Sequence, residues 1–243
     1  MLVIALAKGR LLEDSLELLS KAGVRFAGAV LDSRKLIFDA ADGSHRIVLV
    51  KPSDVPTYVE YGAADAGIAG LDVLLETRAD LIQPLSLNFG YCKIAVAALK
   101  AEQNADFGMR NADLRNQLQS GGSVNPHSAI RIPQSESDRP TLRVATKFPH
   151  ITMEHFSARG IPVEIIPLAG SIELAPLLGL ADRIVDLVES GRTLKENGLE
   201  IVEVIAESHA RLVVNRAAYQ IKRAEVLGLI SLLNRAATCA SST

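Results

Sequence analysis

Tryptophan is absent from this sequence, and aromatic residues of every kind make up only 4% of it. Proteins that grip single-stranded nucleic acid stack bases on aromatic rings, so that class of partner is not expected. Charge argues the same way. The formal net charge is −2, whereas nucleic-acid binders carry a basic excess. Cysteine is scarce: Cys92 and Cys239 are the two, and neither belongs to a Cys-x-x-Cys pair. That is too few for a disulfide framework or a cysteine zinc site. Long apolar runs are missing as well. The opening "MLVIALAKGR" has no basic region before its apolar stretch and no small-residue cleavage site after it. It is too short for a signal peptide or a membrane span. These absences lead to the expectation of a cytoplasmic, reducing setting with no membrane partner.

What is present suits a packed protein. The 243 residues are 48% hydrophobic and 22% charged, enough for one large domain or two small ones. "LVIALA" (Leu2–Ala7) reads as a buried strand, and "LLEDSLELLSKAG" as a helix stopped by Gly23. "KLIFDA" and "HRIVLV" flank an Asp42-Gly43 turn. "PSDVPTYVEYG" predicts a helix capped by Ser53 or Asp54 and closed by Gly62. "AGIAG" is a short strand, "LDVLLE" a helix and "YCKIAVAAL" a strand. This alternation favours a largely parallel α/β sheet. Residues 101–139 are rich in Gln, Asn, Ser and Gly and read as an extended polar loop, with one weak helix near 113–119. Order resumes with "TLRVATKF", "HITMEHFSARG" and "VEIIPL", then a helix in "GSIELAPLLGLA" capped by Ser171, and the strand "RIVDLV". "LEIVEVIAESHARLVVN" reads as two further strands, and "AAYQIKRAEVLGLISLLNRAA" as one amphipathic helix. Two lobes are expected: residues 1–94 with 202–243, and residues 95–201 with the polar insertion.

Several strand ends carry groups suited to an anion. After "RIVDLV" comes Glu189-Ser190-Gly191-Arg192-Thr193. Glycine lets backbone N–H groups approach a phosphate, and the two hydroxyls add donors. A carboxylate repels phosphate but accepts from sugar hydroxyls, so Glu189 suggests a ribose phosphate more than a bare anion. The stretch lacks the Walker lysine and the dinucleotide fingerprint. Residue chemistry alone leaves a plain strand-to-helix turn and a phosphate cradle level. Lys8 and Arg10 in "AKGR" follow another strand, where parallel α/β folds bind ligands. Arg34 and Lys35 in "DSRK", and Lys51 to Asp54 in "KPSD", repeat the theme. One such turn is an ordinary solvated bend; three suggest cations gathered round a polyanion. Glu173 in "GSIELAP" is explained almost as well by helix-dipole placement as by function. The five histidines (His45, His127, His150, His155, His209) show no metal spacing, and Cys92 reads as a core residue.

Taken in order, "ALAKGR", "SRKLIF", "KPSDVPTYVEYGAADAGIAGLDVLLE", "FGYCKIAVA", "RVATKFPHIT", "GSIELAPLLGLADRIVDLVESGRTLKENGLE" and "RLVVN" resemble the ATP phosphoribosyltransferases of histidine biosynthesis. The likeness spans nearly the whole chain outside 101–139 and the last residues. It implies an α/β, two-lobed, periplasmic-binding-protein-like (type II) fold with the active-site cleft between lobes. It implies transfer of the phosphoribosyl group of PRPP to N1 of ATP, releasing pyrophosphate, with Mg2+ carried by substrate. On this resemblance Glu189, Ser190, Gly191, Arg192, Thr193 and Leu194 bind PRPP. Lys8, Arg10, Arg34, Lys35 and Asp54 face ATP and pyrophosphate, and Arg10, Arg34 and Glu173 are the catalytic candidates. The chain looks like the short form of the family. That form implies a homodimer core and a histidyl-tRNA-synthetase-like regulatory subunit.

Two rival functions share this fold or this loop. A solute-binding or effector-sensing module needs the anion contacts without the chemistry; an export signal or a DNA-binding helix pair would favour it. A phosphoribosyltransferase acting on another base would share the sugar-phosphate loop but not the strings of the first lobe.

Overall fold

The computed structural model describes residues 1–26, 30–31, 33–100 and 141–239. The polar segment 101–139, the weak helix expected at 113–119 and Asp32 of the second basic turn lie outside the described residues. The chain divides into two compact units, one of Met1–Ile94 with Ala206–Thr243, the other of Ala95–Ile205.

The first unit is built on a six-stranded sheet. Its strands are β1 (Leu2–Ala7), β2 (Ile37–Asp39), β3 (His45–Val50), β4 (Ala66–Gly70), β5 (Ile82–Ser86) and β11 (Ala210–Val214), in the order β2-β3-β1-β4-β11-β5. β1 runs parallel to β3 and β4, but β2 and β11 are antiparallel to their neighbours. The sheet is therefore mixed, with a parallel centre, and not largely parallel as the alternation of elements suggests. The strand β11 is expected from the sequence, but local alternation cannot reveal its antiparallel place in this sheet, to which it returns from the far end of the chain. β5 is not visible in the pattern. It carries Pro84, which cannot donate to a ladder, and it lies at the sheet's edge, where that is tolerated.

Helices α1 (Leu12–Lys21), α2 (Val55–Glu60) and α3 (Leu71–Thr77) follow β1, β3 and β4. Leu2, Ile4, Leu6, Ile47, Ile68 and Leu212 form the centre of this core, joined by Leu229 and Leu233 from the C-terminal helix. The expected N-cap bond of α2 is not made, whereas Gly62, at φ +76°, closes the helix as expected. Pro52–Asp54 forms a 3-10 turn, and the Ser53 hydroxyl donates to Asp54 Oδ1 at 2.8 Å rather than reaching a backbone N–H. The amphipathic tail is two helices, α7 (Arg216–Ile221) and α8 (Arg223–Cys239), and not one. Asn215 caps the first by accepting from Ala218 N–H at 2.9 Å.

The second unit holds a five-stranded sheet in the order β10-β6-β9-β7-β8. Its members are β6 (Cys92–Leu99), β7 (Leu142–Thr146), β8 (Val163–Pro167), β9 (Arg183–Val188) and β10 (Leu199–Ser208). β7 runs parallel to β8 and β9. Three helices join them: α4 (Pro149–Ser157), α5 (Leu174–Leu177) and α6 (Arg192–Glu196). Ala95, Ala145, Ile172, Ile184, Val188 and Leu199 pack its core. Cys92 is buried, as expected for a core position. No helix among the described residues is long and apolar enough to cross a membrane.

Candidate functional site

In the first unit the parallel register brings the carboxyl ends of three strands to one edge. Ala7 pairs with Val50, and Leu6 with Ile68. The Lys8 N–H continues the ladder to Val50 O at 2.8 Å, so Lys8 and Lys51 leave the sheet side by side. Lys8, Lys51, Asp54 and Tyr58 line a pocket of about 330 Å³, with Leu36 and Ile37 among its apolar walls. Three of the residues singled out from sequence, Lys8, Lys51 and Asp54, are thus brought together. Arg34 and Lys35 are exposed on the segment that leads into this wall, and the Lys35 N–H donates to Ser33 Oγ at 3.1 Å.

Arg10 turns elsewhere along the same edge. Its Nη1 lies 3.5 Å from Tyr91 O and its Nη2 donates to Cys92 Sγ at 3.4 Å. Tyr91 was not singled out from sequence. Gly90 was the available signal: it adopts a φ of +71°, and a Cβ there would stand 2.3 Å from Leu11 Cδ2. Only glycine lets this loop press against the turn that carries Arg10.

The second unit repeats the arrangement. Thr146 pairs with Pro167 on one side and Val185 on the other, so β7, β8 and β9 end at one edge. Beyond β9, Glu189 and Ser190 are exposed, and Gly191 sits in the left-handed region at φ +71°. Arg192 then opens the five-residue helix α6, with its N–H directed at Ser190 Oγ at 3.4 Å. Arg192 and Thr193 are exposed. Leu194 is 8% exposed and packs in the core, so its side chain anchors the loop and is not offered to a ligand. Glu173 is half-buried just before α5. Ser171 does not cap that helix. It holds a φ of +50°, uncommon for a residue with a Cβ, and no side-chain cap bond is made at the helix start.

Two further residues share this edge and were missed. Lys147, directly after β7, forms a 3.0 Å ion pair with Asp186 on β9. Its ammonium also lies 5.2 Å from the Phe148 ring centroid. Lys147 follows a strand as Lys8 and Lys51 do, and that was the available signal. Asp186 sits inside an apolar strand and gave none. Beneath them, buried Thr146 donates to Val185 O at 2.7 Å and accepts from Phe148 N–H at 2.9 Å. This ties the end of β7 to β9 just ahead of the loop. The Arg143–Asp182 pair at the opposite edge raises the arginine's pKa, chiefly through its hydrogen bond, and serves the sheet rather than the site.

Among the described residues no group of three or more His, Cys, Asp or Glu could hold a metal ion. Asp54 lies at the edge of the first unit, and Glu173, Asp186 and Glu189 at that of the second.

Comparison with known proteins adds to this geometry. The family model described as ATP phosphoribosyltransferase matches residues 51–235. An ATP phosphoribosyltransferase of Acidithiobacillus ferrooxidans is 47% identical over 238 residues, covering 98% of each chain. One from Syntrophotalea carbinolica is 43% identical over 234 residues, covering 96% of this chain and 94% of its own. Among solved structures, the ATP phosphoribosyl transferase (HisG:HisZ) complex from Thermotoga maritima is similar with a TM-score of 0.76 and 35% identity, over 100% of both chains.

Proposed function

This chain belongs to the ATP phosphoribosyltransferase family, and we propose that its two sheet edges divide the reaction between them. The reaction itself follows from the family: the 5-phosphoribosyl group of PRPP passes to N1 of ATP, giving 1-(5-phosphoribosyl)-ATP and pyrophosphate, the first step of histidine biosynthesis. The two-lobed type II plan agrees with the pair of α/β units and with the structural relative.

The observation that carries the division is the different chemistry of the edges. The first unit presents Lys8 and Lys51 around one pocket, with Arg10, Arg34 and Lys35 on neighbouring turns. Fixed cations suit ATP phosphates and the charge that builds on departing pyrophosphate. The second unit presents hydroxyls, a left-handed glycine and acids. Ser190, Thr193 and the Gly191–Arg192 backbone suit the 5-phosphate of PRPP. Glu189 and Glu173 suit the ribose hydroxyls and the cation-like sugar formed as the C1 bond breaks. Adenine N1 already holds a lone pair, so no strong general base is needed to create the nucleophile. Asp186 is neutralised by Lys147 at rest and becomes an acceptor for a sugar hydroxyl if that lysine turns to a phosphate.

Magnesium supplies charge neutralisation at the diphosphate, arriving with the substrates. The protein's own part is to orient the oxygens around it. A histidyl-tRNA-synthetase-like regulatory subunit is the proposed partner, supported by the complex in which the structural relative was solved. A homodimeric core and a cytoplasmic setting complete this reading.

The test mixes the chain with ATP, PRPP and magnesium, with pyrophosphatase drawing off product, and reads phosphoribosyl-ATP by mass spectrometry. The adduct is expected, is lost on chelation with EDTA, and returns with added magnesium. Its absence even with the regulatory subunit present sinks the assignment.

A further inference from the structure

The carboxyl edge of the six-stranded sheet carries a second group of side chains that the reaction scheme leaves unused. β5 ends there at Ser86, β11 begins there at Ala210, and Tyr91 stands just before β6. His209 Nε2 and Ser86 Oγ lie 2.6 Å apart. The His209 and Tyr91 rings are 5.6 Å apart, tilted by 32°. The backbone beside them is fastened as well. Ala210 N–H donates to Phe89 O at 3.0 Å, and Leu87 N–H to Ala210 O at 2.9 Å. Gly90 then presses against Leu11, as described above. The loop that results holds out Tyr91 O and Cys92 Sγ, both of them acceptors facing Arg10.

We propose that His209 is a positioning residue for Arg10: by holding Ser86 and packing against the Tyr91 ring, it fixes the loop whose carbonyl and thiol aim the guanidinium. The proposal rests on reading Arg10 as catalytic. Each acceptor contact is weak, a 3.5 Å approach to a carbonyl and a bond to sulfur. Weak contacts orient a long side chain only if their backbone is rigid, since fixing an arginine costs rotamer entropy. A catalytic cation aimed in advance needs no reorganisation as charge develops on the leaving group.

The ionisation of His209 agrees with this role. Lost hydration, and next the nearby Arg211 charge, hold its pKa below the ordinary histidine value. Among the described residues, Arg211 at the start of β11 and Tyr91 from the loop before β6 face it. Protonation would set a second positive charge beside Arg211, so the neutral ring suits this role.

The test is a double-mutant cycle in the full chain, with kcat and both KM values measured for Arg10→Ala, His209→Ala and the pair. His209→Ala is expected to lower kcat about tenfold with KM values within about twofold, the effect of a misaimed group rather than a lost binding contact. On the Arg10→Ala background it should cost nothing further. Tyr91→Leu should reproduce the kcat loss with an unchanged melting temperature, which covers the case in which His209→Ala folds poorly. His209→Gln keeps a hydrogen-bonding partner for Ser86 and should restore part of the rate. It should also weaken the acid-side fall in kcat expected of the wild type at pH values below the ordinary histidine pKa. Additive losses in the cycle overturn the positioning role alone. Wild-type turnover in Arg10→Ala overturns both this inference and the catalytic reading of Arg10.

Discussion

Lys222 donates to both carboxylate oxygens of Asp65 at 2.8 Å. Asp65 is 8% exposed and also accepts from the Val3 N–H at 2.8 Å. The pair pins the break between the two C-terminal helices to the start of β4. Lys222→Met leaves the buried carboxylate with its backbone donor alone. It should cost about 2 kcal/mol, the range for losing hydrogen bonds to a buried charge. A denaturant midpoint measures this, and an unchanged midpoint would show that the carboxylate is adequately held without the lysine.

The loop after β9 is proposed to hold the 5-phosphate of PRPP. Thr193→Val removes one exposed hydroxyl and keeps the shape. The expected result is PRPP binding weaker by about tenfold, equivalent to the ~1.4 kcal/mol of one good hydrogen bond to an anion, with ATP binding little changed. Calorimetric titration with each substrate separates the two. Equal loss of both affinities would move the hydroxyl away from the sugar phosphate.

Arg34 is exposed on the segment leading to the pocket wall. If it meets the leaving pyrophosphate, Arg34→Ala should lower kcat by roughly 10²–10³, the scale for one transition-state donor, with smaller changes in KM. Steady-state kinetics decides this. A kcat equal to wild type removes Arg34 from the catalytic set.

Stability should also fall with pH near His45. Burial is the largest influence on this residue and holds its pKa below the ordinary 6.5; Asp42 opposes that shift and the N-terminus adds to it. The folded state therefore prefers the neutral ring. As pH falls through about 6.5 the unfolded chain takes up a proton that the folded one resists, and stability drops until the folded pKa is passed. Asp39 and Asp42 act lower. The Arg46 hydrogen bond depresses the first and the Ser44 side chain the second, so their contribution is present above 3.8 and lost as pH falls through the folded values. Urea midpoints between pH 7.5 and 5 should decline, and His45→Asn should flatten that decline. A slope unchanged by the substitution would place the effect elsewhere.

Much of the architecture was legible because local signals agreed. Apolar strands ending at Lys8, Lys51 and Lys147 each precede a helix or helical turn, and that pattern marks ligand edges wherever strands run parallel. Other elements were invisible for equally physical reasons. β5 is interrupted by Pro84 and tolerated only because it lies at an edge. The break at Lys222 arises from a carboxylate 157 positions away, which no helical period encodes. Ser171 looks like a cap by residue type, but its backbone adopts a left-handed turn that takes it out of capping position.

By itself the sequence determined the class of fold, the separate cores and the chemistry available at each turn. It also carried the strings by which the family is known. These depend on residue type and short-range order. Tertiary structure alone decided which of those turns meet. Register brings Lys8 beside Lys51 and Asp54, while Gly90, by tolerating an approach that any Cβ would block, draws the Tyr91 loop against Arg10. It also paired Lys147 with Asp186 across two strands 39 positions apart in the chain. Such contacts depend on strand pairing and close packing between distant segments, where side-chain shape and hydrogen-bond geometry select one arrangement among many that the same composition allows.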